Sequence, residues 1–444
     1  MKHILKRFIF VMMVISLSVT SHAHALTLLD AYESAIENDP TFRAAIHENE
    51  AGQQEKEIGL AGLLPNLSIT HNQSKSTGTQ KFSGALSGQN GPLNFDSEVS
   101  TLSLRQPILN MEAVASYRQG VSQAKTSNAR FTGHSQLLIL RLVEAYIKTL
   151  LAQDNLKLIE AQRDTFEERK NINEQMLRQG EGTTTDVLET QSRHALALAQ
   201  VIEASDELEV SRMELSAIVG RDTRNLSRLS DDFQIQSLHI LPYDSWQVLA
   251  LDHNAELLTQ RYSVVSGKEE IKKSHSGHAP RVDLVASLSR NKSASFVTAG
   301  RNVELATIGV EVNIPLYAGG RVNAITSQAR ANLARTEADL DAMTDNVLVE
   351  LRKQYKLVSS SVRRIESLEF AVESAELLVH ATQKSILGGI RINLDLLDAQ
   401  QQLFSIQGEL SQARYNYLLA YLRLKQAAGT LGLEDLQRIA AYFR

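Results

Sequence analysis

The chain has no cysteine, only seven prolines in 444 residues, few aromatic side chains and little net charge, and each shortage removes a class of protein. Without cysteine there is no disulfide framework, no thiolate metal site and no lipid-acceptor thiol for an acyl anchor. A formal charge of −5, with no basic run and no interleaving of basic and aromatic residues, argues against a nucleic-acid partner. Aromatics make up 5% of the residues, too few for one thick globular core and suited to helices packed closely over long distances through Leu, Ala and Val. Beyond the N-terminus no window holds the roughly 20 apolar residues of a membrane-spanning helix, so a membrane can be entered only as strands. No phosphate-binding loop, paired-cysteine motif, HExxH or nucleophile elbow occurs, which leaves an enzyme no residues to work with and calls for no cofactor.

What is present begins with an export signal over residues 1–25. Lys2, Lys6 and Arg7 supply the positive start, Phe8 to Val19 the apolar run, and Ala23-His24-Ala25 the small-x-small site, placing cleavage between Ala25 and Leu26.

The rest of the chain is one pattern written twice, over residues 26–245 and 246–444. Glu37-Asn38-Asp39-Pro40 recurs as Asp252-His253-Asn254-Ala255, and Pro65 recurs as Pro280, both displaced by 215 residues. Gln106-Pro107-Ile108 matches Ile314-Pro315-Leu316 at a displacement of 208, so the second copy has a shorter loop between its prolines. Gly180 with Thr185-Asp186-Val187-Leu188-Glu189-Thr190-Gln191 matches Gly389 with Leu394-Asp395-Leu396-Leu397-Asp398-Ala399-Gln400, and Gly220 matches Gly429, all at 209.

The prolines divide each copy. Between about 65 and 107, and again between about 280 and 315, apolar and polar residues alternate with period two, clearest in Ala306, Ile308, Val310, Val312 and Ile314. Leu67 and Ile69, with Leu102 and Leu104, form the weaker apolar set of the first copy. Each segment reads as a hairpin of strands about ten residues long, joined by polar, Gly-rich loops around Ser83 to Pro92 and Ser293 to Arg301. Outside the hairpins the pattern is helical: a helix, then the hairpin, a long helix over 110–179 and another over 183–220; then a helix, the second hairpin, a long helix over 317–387, another over 393–429 and a short C-terminal segment. No proline lies between Pro107 and Pro242 or after Pro315, so nothing interrupts the long helices. Leu351, Val358, Ile365, Val372, Val379 and Ile386, with Leu348, Tyr355 and Val362, make a heptad seam read as core packing. Leu140, Val143, Ile147 and Leu150 start the corresponding stripe of the first copy.

Two hairpins give four strands, which in lipid leave unpaired edges, so oligomerisation must close the sheet; three chains give about twelve strands, wide enough to enclose water. The fold class is therefore mainly α with a β-barrel: a trimeric channel-tunnel whose long coiled-coil helices continue the pore. An export-signal protein with heptads and a barrel could also be a trimeric coiled-coil adhesin or stalk, but that architecture carries one terminal barrel and no duplication.

The duplicated unit, and especially Gly389-Ile390-Arg391-Ile392-Asn393-Leu394-Asp395-Leu396-Leu397-Asp398-Ala399-Gln400 followed by Ala413-Arg414-Tyr415-Asn416-Tyr417, resembles the TolC family of outer-membrane factors over nearly the whole mature chain. The resemblance implies a homotrimer in outer-membrane lipid, a periplasmic helical tunnel, an equatorial belt near 221–245 and the C-terminus, and a closable periplasmic tip. It implies adaptor contact at the two helix turns, through Gly180, Thr185, Val187, Leu188 and Gln191 and through Gly389, Leu396, Leu397 and Gln400. It places Asp395 and Asp398 in the lumen as two acidic rings able to hold a divalent cation that blocks the pore, Arg391 as a gating arginine and Asp186 as its partner. On spacing alone Asp395 and Asp398 are equally a solvated helix face or a cap after the Gly388-Gly389 turn, and Arg391 and Asp186 ordinary surface charges. Ile386 stands where the family's best-known gate has a tyrosine, so that hydrogen bond is missing. His275 and His278 have a metal-like spacing but no third ligand nearby, and read as surface residues.

The resemblance further implies the exit duct of a type I secretion system, passing substrate from an inner-membrane ABC transporter through a periplasmic adaptor to the exterior. The alternative is the outer-membrane part of a drug or metabolite efflux pump, with an RND-type transporter as its engine.

Overall fold

The computed structural model describes residues 25–81, 83–84, 91–230, 241–293, 301–388 and 390–444. The expected export signal, apart from Ala25, lies outside the described residues, as do most of the two hairpin loops and residues 231–240.

Helix α1 (Leu28–Asn38) starts at Thr27, which shares a reciprocal capping box with Asp30. One helix was expected before each hairpin, but there are two. Asp39 precedes a proline and is pushed out of helical geometry; its carboxylate then caps α2 (Pro40–Ala61), accepting from the Phe42 amide at 2.9 Å. In the second copy Asn254 does the same without a proline, separating α5 (Tyr243–His253) from α6 (Ala255–His275) by accepting from the Glu256 and Leu257 amides.

Strands β1 (Asn66–Gln80), β2 (Gly91–Leu109), β3 (Arg281–Ser293) and β4 (Arg301–Asn313) are 15, 19, 13 and 13 residues long, beyond the ten expected. The excess is polar and lies at the loop ends, where His71 and Ser100 share a hydrogen bond and Arg290 faces Glu304. All four strands form one antiparallel sheet in sequence order, so the two hairpins are welded through β2 and β3. The register sorts the side chains. Leu67 pairs with Leu104, Leu104 with Ala286 and Ala286 with Ile308; Ile69, Leu102, Leu288 and Ala306 form the next row. Between those rows Ser68, Ser103, Ser287 and Thr307 line up on the opposite face, and the Ser68 and Ser103 hydroxyls lie 2.8 Å apart. One face is therefore greasy and the other a ladder of hydroxyls. At the helix end of the hydroxyl face the buried Asp283 accepts from Arg105 at 2.6 Å and Arg281 at 3.0 Å, while Arg105 also reaches Glu311 at 2.9 Å, riveting β2, β3 and β4 together.

Four helices carry the remainder: α3 (Met111–Gln179), α4 (Thr184–Val219), α7 (Arg321–Leu387) and α8 (Asn393–Ala427). With 69 residues, α3 runs about 100 Å at 1.5 Å per residue. α7 starts at Arg321 rather than the expected 317 because Gly319 and Gly320 are left-handed, at φ 61° and 80°. Near the sheet the helices lie in the lateral order α2, α3, α6, α7; toward the other end the order is α4, α3, α8, α7. Leu351, Val358 and Ile365 of the expected seam are fully buried, whereas Val372, Val379 and Ile386 are half-buried as the wall thins. Among the described residues no helix is long and apolar enough to cross a membrane.

Halfway along α3 the main core gathers α1, residues 221–230, α5, the end of α8 and a final helix α9 (Leu433–Ala440). Leu26 bridges to Leu226 and Leu229 to Phe443, which brings together the segments expected to form the belt. The Tyr146 hydroxyl lies 2.9 Å from both the Leu26 and the Ser227 carbonyl oxygens and has one proton to donate between them; burial pushes its ionisation far up. Tyr146→Phe leaves two carbonyls inside the core without that donor. We expect a loss of about 1–3 kcal/mol, read as a lower thermal midpoint with unchanged helix content; an unchanged midpoint would show that water replaces the hydroxyl.

Candidate functional site at the helical tip

The end of the helical wall remote from the sheet consists of two helix turns related by the duplication, and they are built differently. In the first, Gly180 takes a left-handed conformation at φ 79°, and the Glu181 and Gly182 amides return to the Met176 carbonyl at 2.9 and 3.2 Å. Thr183 then caps α4: its hydroxyl donates to Asp186 at 2.6 Å and accepts from the Asp186 amide at 3.2 Å. Asn173 donates across from α3 to the Asp186 carbonyl at 3.3 Å.

The second turn keeps one backbone return, from the Ile390 amide to the Ser385 carbonyl at 2.9 Å, but among the described residues it lacks the side-chain bonds. Counting by 209, Ile392 replaces Thr183 and Asp395 replaces Asp186. An isoleucine cannot share a proton, so α8 has no side-chain cap and Asp395, at the third position of the helix, keeps its carboxylate out of a capping box. Thr382 stands for Asn173, and among the described residues its buried hydroxyl has no partner; neither does the Asn393 amide nitrogen nor the Gln400 amide oxygen. Ile392→Thr rebuilds the missing box with Asp395. We expect about 1 kcal/mol of local stabilisation, seen as slower amide exchange in the first turn of α8; exchange rates identical to wild type would count against the under-bonded turn.

The expected site residues divide accordingly. Thr185, Leu188 and Gln191 are exposed on the first turn, and Gly180 shapes it. Val187, Leu396 and Leu397 are buried instead, and Leu397 packs with Phe166 and Ala197 between the two hairpins. Gln400 is half-buried, and Gly389 lies outside the described residues. The expected pair between Arg391 and Asp186 is not formed within the chain, because Asp186 is committed to Thr183; Arg391 is exposed and has no ion-pair partner among the described residues. Asp395 is half-buried and Asp398 exposed.

Asp398 has a partner that sequence reasoning missed. Arg193 of α4 donates to it through Nη2 at 2.6 Å, and the same nitrogen lies 3.4 Å from Glu189. Glu189 is the residue that the duplication pairs with Asp398, so a single arginine sits between the two equivalent carboxylates of the two copies. That equivalence was the available signal. One turn further along, Gln162 of α3 bonds to Gln401 of α8. At the other end of the helices His275 and His278 stack edge to face, with His278 against Asn323 at 3.2 Å, and no group of three or more metal-capable side chains occurs among the described residues.

This geometry has known counterparts. The chain is 41% identical to the alkaline protease secretion protein AprF of Pseudomonas aeruginosa over 95% of this chain and 88% of that one. It is 37% identical to the proteases secretion protein PrtF of Dickeya chrysanthemi over 99% and 96%, and 26% identical to the outer membrane protein TolC of Escherichia coli over 97% and 88%. Its fold matches the crystal structure of the outer membrane protein VceC from Vibrio cholerae with a TM-score of 0.77 at 18% identity, over 90% of this chain and 96% of that one. It matches the Campylobacter jejuni outer membrane channel CmeC with a TM-score of 0.80 at 14% identity, over 94% and 90%. Residues 31–221 and 246–430 each match the outer membrane efflux protein family, one match to each copy of the duplication, and the chain belongs to that family of outer-membrane channels with periplasmic tunnels.

Proposed function

We propose that three copies of this chain close into a continuous duct through the outer membrane and periplasm, and that the duct is the passive exit of a type I protein secretion system. The observation that carries this reading is that the chain is a slice of a tube wall. Its sheet has one apolar and one hydroxyl-lined face, and its outermost elements are β1, α2 and α4 on one side and β4 and α7 on the other. Each of these edges is dressed to be covered: Leu196, Ile202 and Met213 stand exposed on α4, and Phe370 and Leu377 on α7. A head-to-tail contact that joins α7 and β4 of one copy to α4 and β1 of the next closes after three steps and leaves no strand edge in lipid.

A periplasmic adaptor meets the exposed Thr185, Leu188 and Gln191, and an inner-membrane ABC transporter supplies the energy; the duct itself performs no chemistry. Protein cargo is favoured over small molecules because the relatives at 41% and 37% identity are protease secretion proteins, whereas TolC stands at 26%. The test is complementation. In cells that lack the outer-membrane component of a protease secretion system, but hold its adaptor and transporter, the chain restores protease to the medium. Restored drug resistance in an efflux-deficient host without protease export would move the assignment to efflux, and purified chains that stay monomeric in outer-membrane lipid would remove the duct.

A further inference from the structure

We infer that Arg193 sets the ion selectivity of the tip, by neutralising Asp398 and clasping the first turns of α8 to the first helical hairpin; this rests on the duct reading above. Asp395 and Asp398 share a face of α8 but not an environment. Among the described residues Asp395 has no side-chain partner, while Asp398 accepts from Arg193 at 2.6 Å. Arg193 is three-quarters buried and Glu189 nearly as much, whereas Asp398 is 61% exposed, so the arginine reaches outward from a packed position to the carboxylate. The cluster of Glu189, Arg193 and Asp398 carries one net negative charge in place of two. In a threefold assembly this leaves Asp395 as the full acidic ring, with Asp398 below full strength.

The same contact is mechanical. Residues 193 and 398 belong to different copies of the duplication, and the bond between them, with Gln162 to Gln401 and Leu397 seated on Phe166 and Ala197, ties α8 to α3 and α4 just where its own turn is under-bonded. At the position equivalent to Arg193 the second copy has Gln402, so no second arginine repeats the clasp.

Charge and clasp separate experimentally in planar bilayers, with reversal potential, divalent block and single-channel conductance recorded together. Arg193→Gln channels become more cation-selective, are blocked by periplasmic divalent cations at about fivefold lower concentration, the factor of one unit charge at contact distance in water, and conduct more. Arg193→Lys keeps the charge and returns selectivity to wild type. The double variant Arg193→Gln/Asp398→Asn restores the net charge of the cluster and with it the wild-type reversal potential, while conductance stays raised because the clasp is gone. An Arg193→Gln channel whose reversal potential and block match wild type overturns the inference, even if its conductance changes. Should Arg193→Gln fail to assemble, Asp398→Asn is read instead: lower cation selectivity supports the pairing and an unchanged reversal potential overturns it. Folded wild-type trimers without conductance remove the duct reading and this inference with it, whereas a conducting wild type indifferent to Arg193 removes this inference alone.

Discussion

Channels carrying Asp395→Asn lose most of their block by divalent cations, those carrying Asp398→Asn lose less, and the double variant is not blocked at any millimolar concentration: this is the expected result in planar bilayers with magnesium or calcium on the periplasmic side. The order follows from the two environments. Asp395 occupies the first turn of α8 without a capping partner, since Ile392 offers no hydroxyl, and in the proposed duct its charge is therefore free to act across the lumen. Asp398 spends part of its charge on Arg193. Three copies of Asp395 brought close together repel one another unless protonated or neutralised, and a divalent cation relieves that repulsion while filling the aperture. Removing it changes the blocking concentration by tenfold or more, about 1.4 kcal/mol or above. Equal block in wild type and Asp395→Asn would place this carboxylate away from the lumen, and a larger effect from Asp398→Asn would reverse the assignment of the two rings.

Gly429→Ala is expected to abolish the folded protein, whereas Gly220→Ala, its counterpart in the other copy, only weakens it. Both glycines end a long helix in left-handed geometry, at φ 72° and 71°, where an alanine costs about 1–2 kcal/mol from conformation alone. Each also lies against the helix break of its own copy, and there they differ. A methyl on Gly429 would sit 2.2 Å from the His253 carbonyl oxygen and 2.6 Å from the Asn254 amide nitrogen, both backbone. A methyl on Gly220 would meet Asn38 at Cγ, 2.8 Å, and Cβ, 3.0 Å, a milder overlap and one with side-chain atoms. The backbone cannot yield without dislodging Asn254, whose side chain caps α6 and donates to the Ala427 carbonyl at 3.0 Å, so overpacking of about 3 kcal/mol or more joins the conformational cost. Thermal midpoints and the yield of folded protein after extraction decide the matter. Equal losses for the two substitutions would mean that the α5–α6 break is softer than its bonds imply.

Much of the architecture is legible in the sequence. The 209-residue offset that joins Gly180 to Gly389 and Gly220 to Gly429 marks two copies of one wall segment, and the absence of proline after Pro107 and Pro315 marks the long helices. The helix breaks were not legible as breaks, because Asn254 interrupts its helix by hydrogen bonding alone and an asparagine at a helix start looks the same in sequence as one that divides two helices. The burial of Leu396 and Leu397 was hidden for a related reason: a turn motif read as a surface is also the first turn of a helix that must pack.

The sequence by itself determined what is periodic and local. Alternation along Ala306 to Ile314 makes a strand with one apolar face, heptads from Leu351 onward make a seam, and the lack of any late apolar run of spanning length leaves strands as the one route through a bilayer, because each of these depends on residues a few positions apart. Only the tertiary structure decided which elements meet. That Leu104 stands beside Ala286, so that two hairpins become one sheet with its hydroxyls on a single face, is a matter of register between residues 182 apart. That Arg193 finds Asp398 across 205 residues depends on the stagger of α4 against α8, which the packing of Leu397, Phe166 and Ala197 fixes and no local pattern encodes. A carboxylate shows its spacing in the sequence, but its charge at the tip is set by the neighbour that the fold delivers to it.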